Sequence, residues 1–516
     1  MRSVQHNTAS RLVDHREARG AQLALVDEDR RLDYRALDDR IARCAALLAA
    51  AGIARGERVA LVLGNRTAYL EAVLAAARLA AIATPLNARL TAPELSGLLA
   101  DATPRVLIHE EADVTRIEAA CRDLPRPPAV RIACGGSESY YERRLAQAAP
   151  RHAIEPVSPD DPMLLMYTSG TTGTPKGALL PHRKTLYNSL NAEGFFSLTG
   201  EDRVLVTLPL FHSFGLKILA LPALHAGASV FLHAHFDPVR TWRTVAAERI
   251  TFFGAVPTQL VALREALEAP GAARFDLRSL RFVFGAGAAV PVDLIRAFEG
   301  HGLVLQQGFG QTETSILCSL DARDAVRKAG SVGRPVTHAE VRVVTLSSVE
   351  REPSNWLDAA VGETGEIVVR GPITMLGYWN LPEATAQTIR GDWLRTGDLA
   401  TRDDEGFLTL VGRARQMFIS GGENVYPAEI ERVYAEHPDV REIAVVGVPD
   451  PKWGEVGWAY VVPARGARIE PEALRAWGSE RLARFKLPKR FVEVSELPRT
   501  ETGKVQKHRL AERPGS

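Results

Sequence analysis

The sequence predicts an α/β multidomain protein: a large N-terminal domain of two helix-covered β/α subdomains plus a small β-rich subdomain, followed by a small α+β C-terminal domain. Three observations predict it. The chain has 516 residues, several times the roughly 100 to 200 of one ordinary domain. Short apolar runs alternate with helix-length amphipathic runs, the signature of a parallel sheet covered by helices. The texture then changes twice, near Arg334 and again near Gly412, as it would at the edges of further units.

The alternation starts with a strand-like run at 59–63, an amphipathic run at 68–79, and strand-like runs at 82–85 and 105–108. It recurs at 204–208, 229–232, 250–253, 280–284 and 303–306, each separated by helix-length sequence, so two β/α units fit. After Arg334 come short strand-like runs at 341–345 and 366–370, punctuated by Gly362, Gly365, Gly371 and Gly377, which predict a small β-rich unit. Beyond Gly412 a helix from Ala428, strands at 442–448 and 458–462, a helix from Pro471 and a strand at 491–494 make an α+β module. Its boundary falls near 412–416.

Lys plus Arg number 63 and Asp plus Glu 62, a formal net charge of +1. No global field would hold this surface on nucleic acid or an anionic membrane, so an anion site must be local. Cys44, Cys121, Cys134 and Cys318 lie far apart, with no zinc-ligand spacing, and read as buried free thiols. The N-terminus has no apolar core of a secretory signal, and the apolar stretch 70–86 carries Glu71 and Arg78 and breaks at Pro85. The expectation is a soluble, cytoplasmic protein without a membrane span.

The segment Y-T-S-G-T-T-G-T-P-K-G-A at 167–178 interleaves hydroxyls and glycines, so backbone N–H groups can turn toward an anion unhindered by side chains. Ser169, Thr171, Thr172 and Thr174 can donate, and Lys176 supplies positive charge. This is the chemistry of a polyphosphate cradle; the plain alternative is a hydroxyl-rich surface turn. The apolar run 163–166 just before it favours a buried, functional loop. It is not a Walker A loop, because Pro175 precedes the lysine and Gly177 follows it, and this disfavours a kinase-type phosphotransferase.

Further on stand G-A-G-A-A at 285–289, G-F-G-Q-T-E-T at 308–314, R-T-G-D-L-A at 395–400, G-R-A-R-Q-M-F-I-S-G-G-E-N-V-Y-P at 412–427 and P-R-T-E-T-G-K-V-Q-K at 498–507. With the hydroxyl-rich loop, these segments, in this order over nearly the whole chain, resemble the motifs of the adenylate-forming enzymes. That superfamily comprises acyl- and aryl-CoA synthetases, peptide-synthetase adenylation domains and firefly-type luciferases; the chain is most similar to an acyl- or aryl-CoA synthetase.

The resemblance implies an ATP- and Mg²⁺-dependent ligase that joins a carboxylic acid to AMP, releasing pyrophosphate, and then passes the acyl group to coenzyme A. Nucleotide contacts would come from Thr168, Ser169, Gly170, Thr171, Thr172, Gly173 and Lys176, from the adenine-wall turn Gly285, Ala286, Gly287 and Ala288, and from Phe309 and Gly310. Asp398 would accept both ribose hydroxyls and Arg413 donate to ribose or phosphate. Thr312 would hold the α-phosphate, Glu313 would be the Mg²⁺ ligand, and Lys504 would bridge carboxylate and α-phosphate. The physics agrees: a carboxylate meets a tetra-anion, so cations and donors must stand where charge builds. The C-terminal module, 417–516, would be mobile against the N-terminal domain, 1–412, about a hinge at 413–416. It would withdraw Lys504 and present Gly421 and Gly422 to the pantetheine thiol.

Two departures stand out. Phe309 replaces the family's usual tyrosine, which keeps the stacking face and loses a hydroxyl, and Arg415-Gln416 lacks the usual acid at the hinge. The segment P-L-F-H-S-F-G at 209–215 resembles the opening of the acyl pocket, with His212 beside the reacting carboxylate or, alternatively, as a structural histidine. It has no aspartate to pair an ammonium, so α-amino acids are disfavoured. Phe214, Phe253, Val256 and Gly308 would line a pocket for a hydrophobic or aromatic acid. Lys217 is the odd residue in the apolar helical run 216–224; it would meet a polar group on the substrate or, the preferred reading, snorkel to water. A carrier-protein thiol is the alternative acceptor to CoA. A non-catalytic nucleotide binder should have lost Lys504 or Glu313, and both are present.

Overall fold

The computed structural model describes residues 2–136, 138–168, 175–271, 274–288, 290–420, 423–499 and 505–511. The chain divides into two compact units, Met1–Glu340 with Val369–Leu394, and Val341–Val368 with Arg395–Ser516. This division groups the strands after Arg395 with the C-terminal module, whereas the sequence reading placed its boundary at 412–416.

The first unit holds two large sheets. One has seven strands in the order Gly377–Tyr378, Lys176–Pro181, Pro162–Thr168, Ile82–Pro85, Arg58–Val62, Val106–Glu110 and Val130–Cys134. The last five run parallel and the first two antiparallel at one edge. The other has nine strands, Arg334–Pro335, Ser315–Leu320, Leu305–Gln311, Phe282–Gly285, Phe252–Ala255, Arg203–Val206, Ser229–Leu232, Leu23–Val26 and Arg31–Asp33, with a parallel centre. The central strands are apolar throughout because helices cover both faces, leaving no solvent side to require alternation. The expected runs at 82–85 and 229–232 are strands with those bounds, and the others shift by a few residues.

Upstream of the runs expected from residue 59 onward, the N-terminal segment contributes a strand and a helix. Leu23–Val26 joins the second sheet, parallel to Ser229–Leu232, and helix Tyr34–Ala50 follows, capped by Asp33, whose Oδ1 accepts from the Ala36 N–H at 2.7 Å. The charges that interrupt the apolar stretch after Leu70 are buried in pairs. Glu71 accepts from Arg40 and, at 2.7 Å, from the Tyr141 hydroxyl, while Arg78 pairs with Asp38. Among the described residues no helix is long and apolar enough to cross a membrane, and all four cysteines are buried and free.

The strands Glu340–Thr345, Gly365–Arg370, Trp393–Arg402, Ile389–Arg390 and Leu408–Arg413 form the small β-rich layer expected after Arg334. The C-terminal part pairs Val440–Asp450 with Gly454–Pro463, flanked by Phe418–Ser420, Glu423–Val425 and Arg490–Glu493. Helices Pro427–Ala435 and Pro471–Ser479 accompany it, and Phe418, Ile430, Tyr434, Val445, Val461 and Leu474 form its core.

Candidate active site

In the first unit the strands that flank the hydroxyl-rich loop pair antiparallel, with Thr168 opposite Lys176 at its mouth. Thr168 Oγ1 donates to the Lys176 carbonyl at 3.4 Å. A Cβ on Gly177 would lie 2.8 Å from Leu165 Cδ1 and 3.2 Å from the Tyr167 ring, so a larger residue after the lysine would have to displace those side chains. Ser169, Gly170, Thr171, Thr172, Gly173 and Thr174 lie outside the described residues.

A second hairpin, Leu305–Gln311 with Ser315–Leu320, carries Thr312 and Glu313 in its turn. Thr314 Oγ1 accepts from the Gln311 N–H at 3.1 Å, and the Thr314 N–H returns to the Gln311 carbonyl at 3.2 Å. Gly310 is obligatory, since a Cβ there would stand 1.9 Å from the Ser315 carbonyl oxygen. Phe309 is half-buried on the same strand, opposite Cys318.

The two hairpins meet through Tyr378, which the sequence analysis did not single out. The strand Gly377–Tyr378 pairs with Lys176–Pro181, setting Tyr378 opposite Ala178. Its hydroxyl donates to Glu313 Oε1 at 2.9 Å, and Lys176 Nζ lies 5.1 Å from the centre of its ring. One side chain thus holds the candidate metal carboxylate and rests under the candidate phosphate lysine. The start of helix His182–Phe196 fixes this arrangement. Arg183 Nη1 donates to the carbonyls of Pro372 and Thr374 at 2.7 and 3.1 Å, and Lys184 Nζ donates to the Ile373 carbonyl and, at 2.8 Å, to Ser315 Oγ. The Met375 N–H completes the strap by donating to the Glu313 carbonyl at 2.9 Å. Burial holds the Lys184 ammonium well below the usual lysine range, Lys217 nearby adds to this, and Glu313 opposes it.

Gly285 ends the strand Phe282–Gly285; Ala286 follows, and Gly287, at φ 89°, and Ala288 form an exposed turn. A Cβ on Gly287 would sit 3.3 Å from Val256 Cγ1, so Val256 borders that turn.

In the second unit Asp398 and Arg413 face each other on paired antiparallel strands, and Arg413 Nε meets Asp398 Oδ1 at 2.9 Å. Gly397 takes φ 68°, and its N–H donates to Glu366 Oε1 at 3.2 Å, which also receives Arg395 at 3.1 Å. Gly421, Gly422 and Lys504 lie outside the described residues.

Comparison with known proteins decides the family. The model of the AMP-binding enzyme matches residues 13–379, and that of the AMP-binding enzyme C-terminal domain matches residues 429–504. The chain belongs to the AMP-binding enzyme family. It is 42% identical over 487 residues to a feruloyl-CoA synthase of an Amycolatopsis species, covering 94% of each chain. It is 42% identical over 488 residues to an indoleacetate–CoA ligase of Aromatoleum aromaticum, covering 93% of this chain and 92% of that one. The ATP-bound crystal structure of MatB from Rhodopseudomonas palustris superposes with a TM-score of 0.89 at 31% identity, covering 98% of both chains.

Around the expected acid pocket this AMP-binding enzyme departs from its sequence reading twice. Phe253 turns its ring to the far face of its sheet, 5.8 Å edge-to-face from Trp242 in a core that includes Val245 and Leu260. The neighbouring Gly254 faces the other way, where a Cβ would strike the Phe214 ring at 2.7 Å. Strand alternation therefore separates Phe253 from Phe214. Phe214 instead meets Phe284, 5.7 Å away edge-to-face, and Phe284 Cζ would be 2.5 Å from a Cβ on Gly308. Phe284 was legible only as a strand residue. The second departure is Lys217, which is fully buried and does not snorkel. The run 216–224 is a π-helix, Phe214–Ala220, continuing into an α-helix, Leu221–Ala226. Half-buried His212 stands in the turn just before it, its N–H donating to the Pro209 carbonyl at 3.1 Å.

Proposed function

We propose that this AMP-binding enzyme is an ATP-dependent carboxylic acid:CoA ligase, forming an acyl-adenylate with release of pyrophosphate and then an acyl-CoA with release of AMP. The observation that carries this reading is Tyr378, which holds Glu313 by its hydroxyl under the Lys176 ammonium, in a chain that resembles CoA ligases along its length. CoA, the acceptor in the names of those relatives, is favoured over a carrier-protein thiol.

Lys176 and the donors of the hydroxyl-rich loop take the β- and γ-phosphates, and Thr312 takes the α-phosphate. Gly285, Ala286, Gly287 and Ala288 wall the adenine, with the Phe309 face against it, and Gly310 lets the Thr312 turn close. Asp398 accepts the ribose hydroxyls while Arg413 fixes its carboxylate. Lys504 bridges the attacking carboxylate and the α-phosphate, and the hinge at 413–416 then exchanges it for Gly421 and Gly422 beside the thiol. The donor set fits Mg²⁺: Glu313 offers one hard oxygen, already oriented by Tyr378, next to the Thr312 hydroxyl, leaving phosphate and water to complete a shell. Bound there, Mg²⁺ would neutralise charge on the triphosphate.

Phe214 and Phe284 form an apolar floor beside Gly254 and Gly308, and Val256 closes it toward the adenine turn. No carboxylate stands in 209–215 to receive an ammonium, so the substrate is a hydrophobic or aromatic acid rather than an amino acid. Mass spectrometry of the protein with ATP, Mg²⁺ and pooled aryl and alkyl acids, with and without CoA, tests this. Acyl-AMP that converts to acyl-CoA when CoA is added is the expected result. Acyl-AMP that persists with CoA present would overturn the second half-reaction, and no adenylate from any pool would overturn the first.

A further inference from the structure

The π-helix Phe214–Ala220 places a lysine where the surrounding protein gives it nothing to bind. Lys217 has no exposed surface, and its Nζ has no hydrogen-bond partner among the described residues. Its own carbonyl is satisfied by Asn188 Nδ2 at 2.6 Å, which fixes the backbone and leaves the side chain as the unsatisfied group. Lys184, buried on the packed helix His182–Phe196, has its ammonium depressed chiefly by burial and further by Lys217. Lys184 differs in having two acceptors, the Ile373 carbonyl and Ser315 Oγ.

The layer that contains Lys217 lies between that helix and one face of the nine-stranded sheet. Gly254 belongs to this face because a Cβ on it would strike both Phe214 and Leu219 of the π-helix. Phe284 shares it, meeting Phe214 edge-to-face, and Gln306 is the registered partner of Phe284 on the next strand, so its side chain leaves the sheet on the same side. Gln306 Oε1 is buried and also without a partner. A donor and an acceptor are thus both left open in the layer that the aromatic floor borders. Buried polar groups in folded proteins are nearly always paired, so each orphan calls for an explanation, a bound ligand among them. Short π-helical turns are frequent at functional sites.

We propose that Lys217 is a specificity residue of the acid pocket, binding a hydrogen-bond-accepting oxygen that the substrate carries remote from its reacting carboxyl: an aryl hydroxyl or a second carboxylate. This rests on the ligase reading above and narrows its substrate class. A hydroxyl could accept from Lys217 and donate to Gln306, whereas a carboxylate would use Lys217 alone, so two pairs of acids separate the sources.

The test is pyrophosphate exchange by the full chain with cinnamate against 4-hydroxycinnamate, and with 3-phenylpropanoate against 3-(4-carboxyphenyl)propanoate. Wild-type protein should favour the oxygen-bearing member of one pair by at least tenfold in kcat/KM, chiefly through KM. Lys217→Met should erase or invert that preference, and Lys217→Arg should retain part of it. A purely structural lysine would lower both members of each pair equally. Equal use of both members by wild-type protein, or an unchanged ratio in Lys217→Met, overturns the proposal while leaving the ligase standing. No exchange with any of the four acids overturns it too, and the pooled-acid assay then tells whether adenylation itself is absent.

Discussion

Replacing Lys217 with methionine should make the protein more stable, and the size of the gain follows from the burial of the charge. In the fold the ammonium is pushed down to about 7 from 10.5, with burial as the cause. Each unit corresponds to about 1.4 kcal/mol between protonation states. Below pH 7 both folded and unfolded chains carry the proton, and the fold bears the whole cost, on the order of 5 kcal/mol. Between pH 7 and 10.5 the unfolded chain holds a proton that the fold has released, so wild-type stability from this group rises with pH and the cost fades. Methionine is nearly isosteric and apolar, and a swap of similar volume leaves packing largely intact. Lys217→Met should therefore exceed wild type by about 4 kcal/mol at pH 7 and by less than about 1 kcal/mol at pH 10. Urea unfolding of both proteins across that range, following the transition of the first unit, measures the difference. A variant less stable than wild type at pH 7, or a gap that does not narrow toward pH 10, would refute the reasoning.

Three further predictions are independent of that lysine. Tyr378→Phe removes the donor to Glu313 while leaving the ring under Lys176, so adenylation should fall by roughly five- to thirtyfold, the kinetic equivalent of about one to two kcal/mol, with a raised Mg²⁺ requirement. Pyrophosphate exchange across a Mg²⁺ titration reads it, and an unshifted midpoint would mean that Tyr378 does not hold the metal carboxylate. Lys504→Ala should nearly abolish adenylation yet spare thioester formation from supplied acyl-adenylate; equal loss of both steps would sink the division of labour between Lys504 and the loop at 421–422. His182 is buried and pushed down to about 4 from 6.5, so it is neutral in both states above pH 6.5 and adds nothing there. As pH falls from 6.5 to 4 only the unfolded chain gains the proton, and the fold should lose about 3 kcal/mol. Urea midpoints of wild type and His182→Gln should diverge over that window, and superimposable acid limbs would show that His182 is not responsible.

Much of this was legible in the sequence. The parallel strands announced themselves because burial on both faces makes them continuously apolar, and the motif glycines because a missing Cβ is a positional demand. Gly310 is there since the Ser315 backbone passes too close for any side chain, and Gly177 leaves room for the Leu165 and Tyr167 side chains. What the sequence could not show is the work of tertiary pairing. Leu23–Val26 is a short run whose parallel partner, Ser229–Leu232, lies some two hundred residues away. Tyr378 gains its role only when Gly377–Tyr378 adds to the edge of Lys176–Pro181. Phe253 and Phe284 look alike in sequence, and strand alternation sends one to the Trp242 core and the other to the Phe214 floor. Lys217 misled for a similar reason: snorkelling requires a route to water, and helix His182–Phe196 packed over the π-helix removes it.

The contrast between the two buried lysines extends the argument from position to function. Both are wholly enclosed, and both are depressed chiefly by burial. Lys184 spends its donors on the Ile373 carbonyl and Ser315 Oγ, and so ties the strap at 371–379 to the turn that bears Thr312 and Glu313. Its burial is offset by the geometry it enforces at the proposed phosphate end of the site. Lys217 enforces no comparable contact among the described residues, so its cost is offset by nothing in the unliganded fold. A charge that destabilises the empty protein and lies three residues beyond the aromatic floor of the proposed acid pocket gains its partner when the acid enters. Part of the acid's binding energy is then the relief of that unpaired cation, which only an acid with a remote accepting oxygen can supply.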